Sequence, residues 1–290
     1  MKNNMTALVS CFARYYHTVN SNIKIYNDTL AHAILTKSEI ENISKNMMEG
    51  IKFFNPNYDG DDSLKWVVNN ILAPSVLARS IFNEKNLLNE IRLGLKQYLI
   101  LGSGYDTSGY KISDKVSVYE LDKKEIIEDK VKRVKNANIN TKNINYISCD
   151  FNSNWIENLL KSSFDKNKKT FCSLLGLSYY LDKEIFKQTI SILSKNIPAG
   201  SVIVFDYPSN IETKKEIINQ ALAKEAGEEV KSKYSYKDIE AIAQTSNILI
   251  YEHLNYQDIN DTFFNDYNTL NPSNKILTPK GVAYCLLVKQ

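Results

Sequence analysis

The stretch Leu99-Ile100-Leu101-Gly102-Ser103-Gly104-Tyr105-Asp106-Thr107 constrains the fold more than any other part of the chain. It is a short apolar run that ends in a glycine turn, with an acid two residues past the second glycine. An apolar run without alternation reads as a strand buried on both faces. The glycines allow a sharp turn and leave the backbone bare, so a ligand can approach where a side chain would block it. A second apolar strand ending in acids follows, Val118-Tyr119-Glu120-Leu121-Asp122. Strand, glycine turn, helix, strand and acid is the layout that holds an adenosine-containing cofactor, with the acid on the ribose hydroxyls.

The rest of the chain fits around this unit. From Lys96 onward, apolar strands are expected at 98–101, 116–121, 144–149, 171–177 and 201–206. The spacing predicts a helix over 123–135 with Ile127, Val131 and Val134 inward, and a short one carrying Trp155, Ile156, Leu159 and Leu160. Asp182 is placed to cap a helix that turns Ile185, Phe186, Thr189, Ile190 and Leu193 inward, and Pro198-Ala199-Gly200 turns the chain into the next strand. Strands alternating with helices imply a parallel sheet covered on both faces. Strands near 247–252 and 282–288 would complete it, giving a mostly parallel, seven-stranded, Rossmann-like α/β fold.

Residues 1–97 cannot supply that sheet and read as a helical cap. Leu8, Val9, Phe12 and Tyr16 recur at helical spacing. Ser38-Glu39-Ile40-Glu41 has the form of a capping box, and Gly50 stops the helix it opens. Asn55 to Asp62 is rich in turn formers. From Ser63 to Leu95 apolar residues keep a helical period with an interruption near Pro74. Residues 209–246 break the strand–helix rhythm. They read as an inserted helical pair with weak apolar positions at Glu216-Ile217-Ile218 and Ala221-Leu222, either a lid or a solvated surface element. The expected organisation is one structural domain: cap 1–97, cofactor-binding core 98–208, insertion 209–246 and final strands 247–290.

Composition excludes several partners. The formal charge is +3 and the lysines are scattered, so no basic stripe points to nucleic acid. No apolar run approaches the roughly 18–20 residues that span a membrane. Met5 to Ala13 is mildly apolar but Arg14 interrupts it, which argues against a signal peptide and for the cytoplasm. Cys11, Cys149, Cys172 and Cys285 are far apart, as are His17, His32 and His253, which fits small buried thiols and structural histidines rather than a metal site.

The turn also discriminates between cofactors. A dinucleotide fingerprint is G-x-G-x-x-G, but Thr107 stands where the third glycine belongs, and the next glycine is Gly109. An acid at Asp106, near a helix N-terminus, would repel a pyrophosphate placed there. S-adenosylmethionine has no phosphate and carries a cationic sulfonium and an ammonium group, so it suits that acid better than NAD does. A third strand ending in Asp150 supports the same choice.

At this point the chain resembles a known family. It is similar to the class I methyltransferases of the leucine carboxyl methyltransferase type, including the bacterial O-methyltransferases associated with polyketide synthesis. The resemblance rests on Ala7-Leu8-Val9-Ser10-Cys11-Phe12-Ala13-Arg14, Ile25-Tyr26-Asn27-Asp28-Thr29-Leu30-Ala31 and Leu77-Ala78-Arg79-Ser80. It continues through Ile100 to Thr107, Tyr119-Glu120-Leu121-Asp122, Cys149-Asp150-Phe151 and Gly176-Leu177-Ser178-Tyr179-Tyr180-Leu181.

The resemblance implies S-adenosylmethionine as cofactor and a set of residues that bind it. Arg79 would hold the methionyl carboxylate, a match for a guanidinium fork. Gly102, Ser103 and Gly104 would make the close turn, with Asp106 beside it. Asp122 would take the ribose hydroxyls, with Glu120 as the alternative acid, and Asp150 with Phe151 would bracket the adenine. Leu175 stands where the family carries an acid facing the cofactor's ammonium end. Arg14, Tyr179 and Tyr207 are candidates to line an acceptor pocket, closed by residues 1–30 and the insertion. No metal is expected. The implied reaction is O-methylation of a small molecule or a carboxylate, by a monomer or a homodimer. The alternatives are a non-catalytic cofactor-binding protein and an NAD-dependent oxidoreductase. Asp206-Tyr207-Pro208 is not the Asn/Asp-Pro-Pro-Tyr motif of amino-group methylation on DNA.

Overall fold

The computed structural model describes residues 5–211, 213, 217, 218, 220, 221, 224 and 229–290. The strands are β1 (Gln97–Leu101), β2 (Ser117–Asp122), β3 (Ile144–Ser148), β4 (Thr170–Leu174), β5 (Val202–Pro208), β6 (Ile248–Leu254) and β7 (Val282–Lys289). They form one seven-stranded sheet in the order β3-β2-β1-β4-β5-β7-β6. β1 to β5 are parallel, and β7 runs antiparallel between β5 and β6. The strand order reverses between β1 and β4. In open α/β sheets that switch point opens a crevice at the carboxyl ends of the strands. β4 stops at Leu174, short of the expected 171–177, because Gly176 at φ +70° turns the chain away.

Each strand sends alternate residues to opposite faces. Tyr98, Ile100, Val118, Val202 and Val204 face the core built with the cap. Leu99, Leu101, Tyr119, Leu121, Ile203, Phe205 and Tyr207 face the second core.

The cap comprises α1 (Met5–Asn20), α2 (Ala31–Ile34), α3 (Lys37–Glu49), α4 (Ile51–Phe54), α5 (Ser63–Val67) and α6 (Ala73–Arg92), with a π-helical turn at Val68–Leu72. The expected interruption near Pro74 takes the form of an irregularity rather than a break: Pro74 lies in the first turn of α6, directly after the π-helical turn. The capping box of α3 is set two residues earlier than its sequence suggested. Thr36 in extended backbone accepts from Glu39 N, and the Glu39 side chain answers to the Thr36 N–H.

α7 (Lys124–Asn136) covers the cap face, with Val134 in its core. Val131, expected inward, is exposed. The opposite face is covered by α8 (Ile156–Leu160), α9 (Lys183–Asn196) and α10 (Tyr236–Thr245), through Trp155, Phe186, Ile190 and Ile239. Asp182 is the N-cap of α9 by position but makes no side-chain capping bond. α10 lies within the expected insertion, while Glu216 and Leu222 lie outside the described residues. All four cysteines are buried and free.

His17 pins the reversal after α1. Its Nε2 accepts the N–H of Ile25 at 2.9 Å, and the ring is almost fully buried. Burial lowers its pKa to about 4. A depressed value means the unfolded chain takes up the proton first. This share of stability is therefore complete above pH 6.5 and is lost as the pH falls towards 4, on the order of 3 kcal/mol in all. Urea unfolding between pH 7 and 4 should show that acid limb, and His17→Gln should flatten it. An unchanged limb in the variant would count against His17 as its source.

Candidate active site

The carboxyl ends of the central strands and the cap enclose a cavity of about 1000 Å³. Its floor is the turn after β1, where Gly102 and Gly104 have φ of +68° and +42°. A Cβ at Gly102 would press on Leu177 at 3.1 Å. The turn is tied to the next strand, since Gly104 N donates to Asp122 Oδ2 at 2.7 Å and Lys123 N donates to Asp122 Oδ1 at 2.8 Å. Those bonds orient the Asp122 carboxylate at the cavity edge, and burial pushes its pKa above the ordinary range. Asp106 accepts from Ser108 N at 2.6 Å. The Ser103 hydroxyl is buried with no partner among the described residues.

Asp150 follows β3, on the exposed rim, and its Oδ1 accepts from both the backbone and the side-chain nitrogen of Asn152, each at 2.9 Å. Those bonds hold its pKa below the ordinary carboxylate value. Phe151 stands edge-on to Trp155, with ring centroids 5.7 Å apart.

Arg79 enters from α6. Its Nη1 lies 3.3 Å from Asp206 Oδ2, and its Nη2 donates to Ser10 Oγ at 3.3 Å. Burial works against the guanidinium charge, but Asp206 together with the nearby Tyr179, Tyr284 and Tyr180 outweighs it and the pKa is raised. Asp206 also accepts the N–H of Gly176 at 2.6 Å. Leu175 and Gly176 line the cavity next to it.

Arg14 lines the cavity and also fastens α1 to the glycine turn. Its Nε donates to Asp28 at 2.8 Å and its Nη2 to the carbonyl of Tyr105 at 2.7 Å, while Asp28 accepts from the Thr107 hydroxyl at 2.7 Å. Tyr179 faces the cavity with its hydroxyl pKa pushed well above 10 by burial.

Every expected site residue lines this cavity except Glu120 and Tyr207. Glu120 is on the same face of β2 as Asp122 but two residues earlier, about 7 Å deeper by strand rise. It is wholly buried there against Lys130, whose Nζ is 2.7 Å from Oε2, and so cannot reach a ligand. Tyr207 points to the opposite face of β5, into the second core, and bonds His253 at 2.7 Å. Asp206 occupies the cavity side in its place. The sequence did carry a signal for Asp206, an acid closing the apolar run Val202-Ile203-Val204-Phe205.

The arrangement has recognisable relatives. YktD of Bacillus subtilis (strain 168), named a candidate S-adenosyl-L-methionine-dependent methyltransferase, is 37% identical over 281 residues, covering 91% of this chain and 92% of YktD. A similarly named Mycobacterium marinum protein is 26% identical over 148 residues, covering 50% of this chain and 46% of that protein. Among solved structures, a DUF574 family protein from Streptomyces avermitilis superposes with a TM-score of 0.63 at 10% identity over all of both chains. Magnesium protoporphyrin IX methyltransferase from Synechocystis, solved with S-adenosylhomocysteine, gives 0.51 at 11% identity, covering 86% of this chain and 99% of that one. These last two likenesses concern the fold. Residues 7–194 match the leucine carboxyl methyltransferase family. Its cofactor is therefore S-adenosylmethionine rather than NAD, and the chain belongs to the leucine carboxyl methyltransferase family of methyltransferases.

Proposed function

We propose that the protein transfers the methyl group of S-adenosylmethionine to an oxygen of a small, largely apolar acceptor, a phenol or a carboxylic acid. The observation that carries this reading is the split character of the cavity. The strand ends and α6 supply Arg79, Gly102, Gly104, Asp122 and Asp150, and α3, α4 and the π-helical turn of the cap supply Ile43, Met47, Phe53, Phe54, Ile71 and Leu72. The polar set fits the donor. Asp122 would take the ribose hydroxyls, Asp150 and Phe151 the adenine, and Arg79 the methionyl carboxylate. Asp122 and Asp150 put negative charge near a cationic ligand, and the bare glycine backbone admits its close approach. When bound, the cofactor supplies a methyl group on a positively charged sulfur.

The protein's own part is alignment and exclusion of water. The apolar cap set supports an acceptor whose body is hydrophobic. Among the described residues lining the cavity there is no histidine. The raised pKa of Tyr179 keeps its hydroxyl neutral, so it can donate a hydrogen bond and orient an oxygen but cannot take its proton. This favours acceptors that arrive ionised, because a carboxylate or an acidic phenolate needs no base.

Calorimetric titration with S-adenosylhomocysteine tests the donor end. Asp122→Ala should weaken binding at least about tenfold, as loss of a hydrogen bond to a charged group implies. Equal affinity in wild type and variant would remove Asp122 from the site. Incubation with a panel of apolar acids, phenols, amines and thiols, read by mass spectrometry, tests the acceptor end. Methyl esters or ethers are expected; products on nitrogen or sulfur alone would overturn oxygen as the target. Binding without turnover on any acceptor would favour a non-catalytic protein.

A further inference from the structure

The Asp206 carboxylate has no exposed surface, yet it holds two parts of the cavity wall. Oδ2 faces Arg79 of α6 at 3.3 Å, and Oδ1 accepts the N–H of Gly176, in the turn after β4, at 2.6 Å. The backbone at Asp206 is fixed as well. Its carbonyl accepts from the Ser178 hydroxyl at 2.7 Å. Its neighbour across β7 is Tyr284, whose hydroxyl donates to the Ser75 carbonyl at 3.1 Å, one turn before Arg79 on the same helix.

A buried carboxylate is tolerated only when donors satisfy it, and here each oxygen has one. The resulting pair is neutral in sum but oriented. The guanidinium keeps some exposure to the cavity, 17% of its side chain, while the carboxylate lies behind it. An oriented neutral pair suits a ligand group that is itself neutral in sum and carries an anionic end, such as the zwitterionic amino-acid end of the methyl donor. Leu175, the cavity residue just before this turn, has no charge to contribute.

We propose that Asp206 is a positioning residue of the donor site. It fixes the direction of the Arg79 guanidinium and the Gly176 turn, and so sets recognition of the amino-acid end of the donor without touching it. The inference rests on the donor placement proposed above. Asp206→Asn is nearly isosteric, but its amide NH2 must meet one of the two donors, Arg79 or the Gly176 N–H, and its oxygen carries no charge to hold the guanidinium.

The test compares two ligands by calorimetry: S-adenosylhomocysteine, which has the amino-acid end, and 5′-methylthioadenosine, which lacks it. Asp206→Asn should weaken the first about tenfold, as expected for a lost hydrogen bond to a charged group, and leave the second unchanged. Equal loss of both, or loss of neither, overturns the role of Asp206 while leaving the donor site standing. Wild-type protein that binds neither compound overturns the donor site and this role together. The pair Arg79→Gln and Arg79→Gln/Asp206→Asn keeps the idea testable if the single variant does not fold. Any further loss in the double variant should stay well below tenfold, since only the hold on the Gly176 turn remains to be lost, and a full further tenfold loss would show that Asp206 does not act through Arg79.

Discussion

Replacing Lys130 with methionine is expected to lower the unfolding free energy by about 3–5 kcal/mol, the cost of leaving a buried charge without its partner. Lys130 and Glu120 are both wholly buried between α7 and β2, with Nζ 2.7 Å from Oε2. The Tyr110 hydroxyl donates to the same oxygen at 3.1 Å. Burial raises the pKa of Glu120 even with the lysine present. Without the lysine, Glu120 would escape its unpaired charge by holding a proton. A folded pKa above the unfolded value gives stability that is complete below the unfolded pKa and is lost as the pH rises. The deficit of Lys130→Met should therefore be small near pH 5 and grow towards pH 8. Lys130→Met/Glu120→Leu should regain most of the loss, since apolar replacement of both partners is near neutral. Urea unfolding at the two pH values measures this. A single variant within 1 kcal/mol of wild type at pH 8 would mean that Glu120 is not effectively buried. Lys130 Nζ also lies 3.4 Å from the carbonyl of Ser103, so the pair supports the glycine turn from below.

The second large effect is expected at Gly176. Gly176→Ala should weaken S-adenosylhomocysteine binding on the order of a hundredfold, equivalent to losing two hydrogen bonds to charged groups. The glycine has φ +70°, and an added Cβ would fall 2.7 Å from Arg79 Nη1 and 3.2 Å from Cζ. The backbone strain costs about 1–2 kcal/mol. A side-chain tip can move aside, so the fold survives, but the tip that moves is the guanidinium the site needs. Gly200→Ala separates the two causes. Gly200 has φ +79°, with nothing within 4 Å of an added Cβ. It should show the strain in its melting temperature and keep wild-type affinity. If both variants bind alike, the contact with Arg79 is not what matters at Gly176.

The parts legible in the sequence were those encoded locally. The unbroken apolar run Leu99–Leu101 and the mostly apolar run Val118–Leu121 announce buried parallel strands, and the paired glycines can only be a turn. Asp122, one residue beyond its apolar run, is placed by that position at the strand end. The two misplacements have separate physical causes. β5 is buried on both faces along its whole length, so no alternation of polar and apolar residues tells which face Tyr207 takes. The parity that turns Asp206 to the cap and Tyr207 away is set by packing. Glu120 was misread because face and depth are different coordinates. It shares the face of Asp122 but lies one pleat below the ligand edge, where a lysine from α7 and the Tyr110 hydroxyl hold it. The Arg79–Asp206 pair joins residues 127 positions apart, and nothing local in the sequence announces it.

The place of β7 has a bearing on how the chain reaches this state. It is the last strand in sequence, yet it sits inside the sheet, with β6 beside it at the edge. Tyr284 on that strand stacks on Phe82 of the cap at a centroid distance of 5.5 Å and reaches Ser75 across 209 residues of chain. The first helices made therefore bury part of their apolar faces against a strand made last. Closing such long loops must precede any reward from the contacts they bring together. Until then the cap helices have an unburied apolar side, and the search for the native pairing is dominated by distant parts of the chain. The same late contact that completes the core also seats α6, and with it Arg79, over the mouth of the glycine turn.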